Sequence, residues 1–177
     1  AIKSWVRKGG VIWGHKGGAK FLVDQQLLKA NYLSRQDLAG AFKTEGLSYG
    51  DKDHLAGRQR IAGAIFNTSV DLTHPLTFSL TRDTLPVFKN STWLLEASDA
   101  PFVNVLTYTK RPLLAGFTDS VNVEQVAEGA GLIAHSYGRG SVIAMTDNPV
   151  FRGYWYGTSR LLSNALFLGH TFRASGQ

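Results

Sequence analysis

The sequence predicts an α/β protein, a three-layer sandwich with antiparallel strand additions, and three observations carry that prediction. Helical and strand patterns alternate through the first sixty residues; a strand pair lies near the end, joined by Tyr137-Gly-Arg-Gly140; and an apolar helix follows it. No internal repeat or low-complexity linker interrupts the 177 residues, which suit a single domain, 1–177.

Taken in order, Ile2 to Lys8 reads as a helix carrying Ile2, Trp5 and Val6, stopped by Gly9-Gly10. Val11-Ile-Trp13 is short and apolar enough to predict a buried strand. A helix is expected from about Ala19 to Leu28, with Phe21, Leu22 and Leu28 on its inner face. Ser34 is placed to cap a further helix through Asp37, Leu38 and Phe42, its hydroxyl accepting from free amides of the first turn. The polar, glycine-bearing stretch from Gly46 to Arg60 reads as a long surface loop.

From Ile61 onward the pattern is one of strands. Ile61 to Phe66, Leu76 to Leu80, Pro86 to Phe88 and Thr92 to Leu95 are short candidates, with Asp71-Leu-Thr-His-Pro75 as a turn. Phe102 to Tyr108 and Pro112 to Phe117 follow as two strands, and Val121 to Glu128 as a short helix. Leu132 to Tyr137 and Ser141 to Thr146 form a hairpin whose turn uses the positive φ that glycine permits. After Asp147-Asn-Pro149 an aromatic loop leads into a helix from about Thr158 to Leu168, apolar around much of its circumference and expected to be well buried.

Composition narrows the function classes. Zero cysteines exclude disulfides, thiol catalysis and cysteine-ligated zinc. No apolar run is long enough to span a bilayer. Of the net charge of +6, the whole excess lies in residues 1–60, which hold eleven Lys or Arg against five acids. Those cations are spread over several elements with no stripe of interleaved aromatics, so the reading is a solvated basic face, or one meeting another part of the parent, and no nucleic-acid partner is expected. The chain starts within a helix that has no start signal, and is read as the C-terminal segment of a longer protein.

The run Ile12-Trp13-Gly14-His15-Lys16-Gly17-Gly18 has the parts of a nucleophile elbow: a strand, a sharp turn with small neighbours, and a helix whose first amides face the reacting group. His15 is read as its apex. It could act as nucleophile or base, with Asp147 or another carboxylate as partner, or bond locally while the glycines allow close backbone approach. Three further candidates carry alternative readings. His74 could line a pocket or serve as a turn residue before Pro75. Arg152 could bind a carboxylate, stack on its aromatic neighbours or pair with Asp147, while Trp155 with Tyr154 and Tyr156 could form a sugar or peptide platform or be buried beneath the last helix. The candidate pocket or ligand-binding residues are thus Gly14, His15, Lys16, Gly17, His74, Asp147, Arg152 and Trp155, with no catalytic residue and no metal ligand assigned.

Helix, Gly-Gly, strand and Gly14-His-Lys-Gly17 together resemble the class I glutamine amidotransferase-like (flavodoxin-like) fold, in which strand, Gly-x-Cys-x-Gly and helix build the glutaminase site. On that resemblance His15 matches the nucleophilic cysteine, and Gly14 and Gly17 its flanking glycines. The family's His-Pro-Glu falls on Asn148-Pro-Val150, so glutamine hydrolysis is not expected.

The stretches Ile61 to Phe66, Asp71 to Leu76 and especially Gly138 to Leu166 look like the amidotransferase-like C-terminal domain of large secreted bacterial zinc carboxypeptidases. The resemblance implies a non-catalytic docking or ligand-binding accessory domain, secreted or periplasmic, whose partner is an upstream carboxypeptidase A-like domain of the same chain. Zinc is expected only in that upstream domain. None of the five histidines, His15, His54, His74, His135 and His170, has Glu three residues later.

Overall fold

The computed structural model describes residues 1–173, in which two close backbone crossings fix where the chain turns. Helix α1 (Ile2–Arg7) leads into strand β1 (Val11–His15), and helix α2 (Gly17–Asp24) begins after a single intervening residue. Strand β2 (Tyr32–Leu33), helix α3 (Arg35–Ala39) and helix α4 (Lys52–Arg58) precede strands β3 (Ala64–Val70), β4 (Thr84–Lys89), β5 (Leu94–Leu95) and β6 (Asn104–Gly116). Helix α5 (Ser120–Val126), the hairpin of β7 (Ala130–Tyr137) and β8 (Gly140–Met145), and helix α6 (Tyr156–Leu168) complete a mixed α/β fold.

The strands form one curled sheet in the order β1-β8-β7-β6-β3-β4, with β5 joining β7 and pairing β2. Only β1 and β8 run parallel, Val11 opposite Ser141 and His15 opposite Met145; the other pairs are antiparallel. Strand β8 is buried along its whole length because helices cover both of its faces. Val142 and Ala144 pack with Val6, Ala19 and Leu22 of α1 and α2, while Ile143 and Met145 pack with Leu161 and Ala165 of α6. The period-two alternation of a strand thus supplies two cores at once. A third cluster, with Leu38, Phe66, Tyr108 and Val126, carries the core to the curled end under α3 and α5.

The β7–β8 hairpin turns at Gly138, whose φ of 64° suits glycine, and a Cβ on Gly140 would come within 2.2 Å of Gly10 O. The Ser34 cap holds: its hydroxyl and amide both meet the Asp37 carboxylate at 2.7 Å.

Several elements differ from the sequence reading. β1 is an edge strand with Val11 to Trp13 only half buried, because it pairs with β8 alone. α2 starts at Gly17 and ends before Leu28, which is buried beyond the helix, while Phe21 points outward. The expected loop from Gly46 to Arg60 contains α4, entered through a 3-10 turn at Tyr49–Asp51 that the Ser48–Asp51 capping box starts. Leu76 to Leu80 is no strand: Thr77 N and Phe78 N donate back to His74 O and Pro75 O, forming the 3-10 turn Pro75–Thr77. The two strands expected around Pro112 are one, β6, whose register to β3 shifts by bulges that accommodate the missing proline N–H. β3 begins at Ala64, three residues later than expected. α6 buries one face only, through Thr158, Leu161, Asn164 and Ala165; Leu166 and Phe167 are 75% and 76% exposed.

Candidate functional site

The one parallel pair sends β1 and β8 out at the same end of the sheet, and the turns that follow them meet there. After β1, His15 keeps strand geometry and Lys16 takes φ 50° and ψ −121°, a strained conformation for a residue with a side chain. The elbow's apex is therefore Lys16, one residue later than the sequence reading placed it. Gly14 and Gly18 flank it symmetrically. A Cβ on Gly14 would lie 2.6 Å from Gly18 O and 2.7 Å from Leu22 Cδ1, so the strand and α2 cross where no side chain fits.

Lys16 is half buried, and its Nζ donates to Asn90 Oδ1, just beyond β4. Gly17 opens α2 against the Trp93 ring, 3.9 Å from where its Cβ would stand. His15 is exposed, and its imidazole has no hydrogen-bond or ion-pair partner among the described residues. Desolvation first and the Lys16 charge second lower its pKa from 6.5, favouring the neutral ring.

Asp147, two residues past β8, is wholly buried and faces neither His15 nor Arg152. Lys89 Nζ donates to Asp147 Oδ1 at 3.3 Å and to Trp93 O at 2.8 Å, and the Tyr108 hydroxyl donates to Asp147 Oδ2. Burial lowers the Lys89 pKa against the opposing pull of Asp147. Burial first, then the Asp147 charge, raises that of Tyr108, which stays a hydroxyl donor. Sequence reading missed Lys89, Tyr108 and Asn90: no local pattern links Lys89 to a partner 58 residues away. The signal that was present is a lone Lys between Phe88 and Asn90 at the end of an otherwise apolar strand.

Arg152 is exposed, adopts φ 51° and lies over the Phe151 ring at 5.3 Å, so the stacking alternative describes its contact. Phe151 in turn stacks on Phe88 of β4 with centroids 4.3 Å apart. Trp155 is half buried near Phe88, whereas Tyr154 and Tyr156 are exposed and do not lie beneath α6. His74 lies at the other end of the sheet, because β3 runs opposite to β6 and hence to β8. Its Nδ1 accepts from Leu76 N at 3.1 Å, which caps the 3-10 turn, and its ring packs on Phe172. The structure thus gathers Gly14, His15, Lys16, Gly17, Asp147, Arg152 and Trp155 at one end and leaves His74 out.

Among the described residues no three His, Asp or Glu side chains are grouped to hold a metal ion, and no helix is long and apolar enough to cross a membrane. No family model, curated protein or solved structure matches the chain.

Proposed function

We propose that this chain is a non-catalytic, amidotransferase-like ligand-binding or docking domain and, on the resemblance carried by Gly138 to Leu166, an accessory to a secreted zinc carboxypeptidase whose metal domain lies upstream. The observation that carries this reading is the occupant of the elbow. With Lys16 at the strained apex, the family's Gly-x-Cys-x-Gly falls on Gly14-His15-Lys16-Gly17-Gly18, so an amine tied to Asn90 stands where the thiol would be. A thiolate attacks a carbonyl only if a base and a carboxylate stand behind it. Here the carboxylate that follows β8, Asp147, is already engaged by Lys89 and Tyr108.

The reading is tested by incubating the purified protein with L-glutamine and with short peptides. No ammonia or cleaved peptide above background is expected, and Lys16→Ala and His15→Ala should change nothing. Turnover that either substitution abolishes would overturn the proposal. Parentage has its own test: the coding sequence upstream should specify His-x-x-Glu followed by a later His. A sugar-binding alternative is favoured by the exposure of Tyr154 and Tyr156 beside Trp155, and titration with oligosaccharides followed by tryptophan fluorescence decides it.

A further inference from the structure

Beside the elbow opens a pocket of about 440 Å³ whose walls carry two guanidinium groups, Arg35 and Arg60, and, among the described residues, no carboxylate. Asn90, the residue that holds Lys16, stands on its rim, and Trp93, which the start of α2 abuts, lines it with Ile61 and Ala62. Three acids on the neighbouring segments are already engaged. Asp37 and Asp51 close the capping boxes with Ser34 and Ser48, and Asp119 takes the Arg58 Nε at 2.7 Å.

The described lining itself is cationic without a counter-charge. Arg35 is half buried and donates to Ala56 O at 3.4 Å, leaving most of its N–H fork unused. Arg60 has no side-chain hydrogen bond or ion pair among the described residues. Ser91 also lines the pocket, and its buried hydroxyl has no partner among them. The half-buried Arg35 guanidinium favours an anion that accepts its paired N–H groups, and Arg60 adds a second cation at the same opening. The apolar wall supplies a surface for the rest of the molecule.

We infer that this pocket binds a small molecule bearing an oxyanion, a carboxylate or a phosphate, with its charge on Arg35 and Arg60 and its apolar body against Trp93. The concentration of basic charge in the first third of the chain then has a local use: α3 and the segment after α4 bring two of those cations to one opening.

Titration calorimetry and tryptophan fluorescence with benzoate, phenyl phosphate and uncharged benzyl alcohol test the assignment. At least one of the two anions should saturate a single site about tenfold or more tighter than benzyl alcohol. Whichever anion binds better identifies the ligand group. Arg60→Gln, at an exposed position where folding is not at stake, should weaken that anion about tenfold, and Arg35→Gln likewise. The inference falls if neither anion saturates up to about 10 mM, if benzyl alcohol binds as well as both, or if Arg60→Gln leaves anion binding unchanged. The inference deepens the ligand-binding reading and rests on it, yet the two fail separately. Glutamine or peptide turnover lost in Lys16→Ala would overturn the non-catalytic reading and leave the pocket standing, whereas absent anion binding would remove the pocket alone.

Discussion

Lys16 holds a backbone conformation that glycine adopts at far smaller cost, at the one residue separating β1 from α2. Lys16→Ala loses the bond to Asn90 and keeps the strain; Lys16→Gly loses the same bond and relieves it. The Gly variant should therefore be the more stable of the two by about 1 kcal/mol in urea unfolding, and equal stabilities would refute the strain. His74 and His135 make a pH prediction. Burial depresses both pKa values below 6.5. The unfolded chain then takes up their protons first, so the stability they support is fully present above pH 6.5 and is lost as pH falls through the lowered folded values. His74→Asn keeps an acceptor for Leu76 N without a titrating group, so its stability should fall less steeply below pH 6.5; an unchanged slope would dismiss His74 as a contributor. At this scale the sequence was legible to within one position. Glycine spacing marked the elbow, but the φ that picks Lys16 over His15 depends on how α2 crosses β1, and that crossing is tertiary.

Helix starts were legible where a cap stood before an apolar pattern and missed where it did not. Ser34 and Ser48 make the same bonds to an acid three residues on, at 2.7 to 2.8 Å. The first precedes Leu38, which is buried; the second precedes α4, which buries no residue, so no hydrophobic period announced it. Ser48→Ala should cost about 1 kcal/mol and raise hydrogen exchange through Lys52–Arg58. Exchange unchanged there would mean that tertiary contacts alone hold α4. In α6 the expectation of a well-buried helix failed in part because only one face meets the sheet. Asn164, a polar residue on that face, is there because its amide donates to Leu76 O and Phe78 O at 2.8 and 2.9 Å.

For the whole molecule, the α/β class and the hairpin were readable from alternation and turn chemistry. The curl of the sheet was not, because it is made by bulges between β3 and β6 and by contacts across the chain. Its seam is visible where Lys89, at the end of the last strand in the sheet order, reaches Asp147 just past β8. Asp147→Ala would leave a buried lysine without its partner and should cost about 3–5 kcal/mol, whereas Lys89→Met combined with Asp147→Asn should cost less than Asp147→Ala alone. A double variant at least as damaged as Asp147→Ala would show that the pair is not coupled. The parallel pair has a consequence in time. Val11 lies opposite Ser141, so β1 leaves the ribosome long before the strand it pairs with. The β7–β8 hairpin, joined by a tight turn, closes locally and early, and β1 must then add to its finished edge across the greatest sequence separation of any described strand pair. The elbow, with Lys16 at its apex, is thus encoded well before β8 and assembled only after it, and until then Val11 to Trp13 form an unpaired apolar segment open to chaperones and to aggregation.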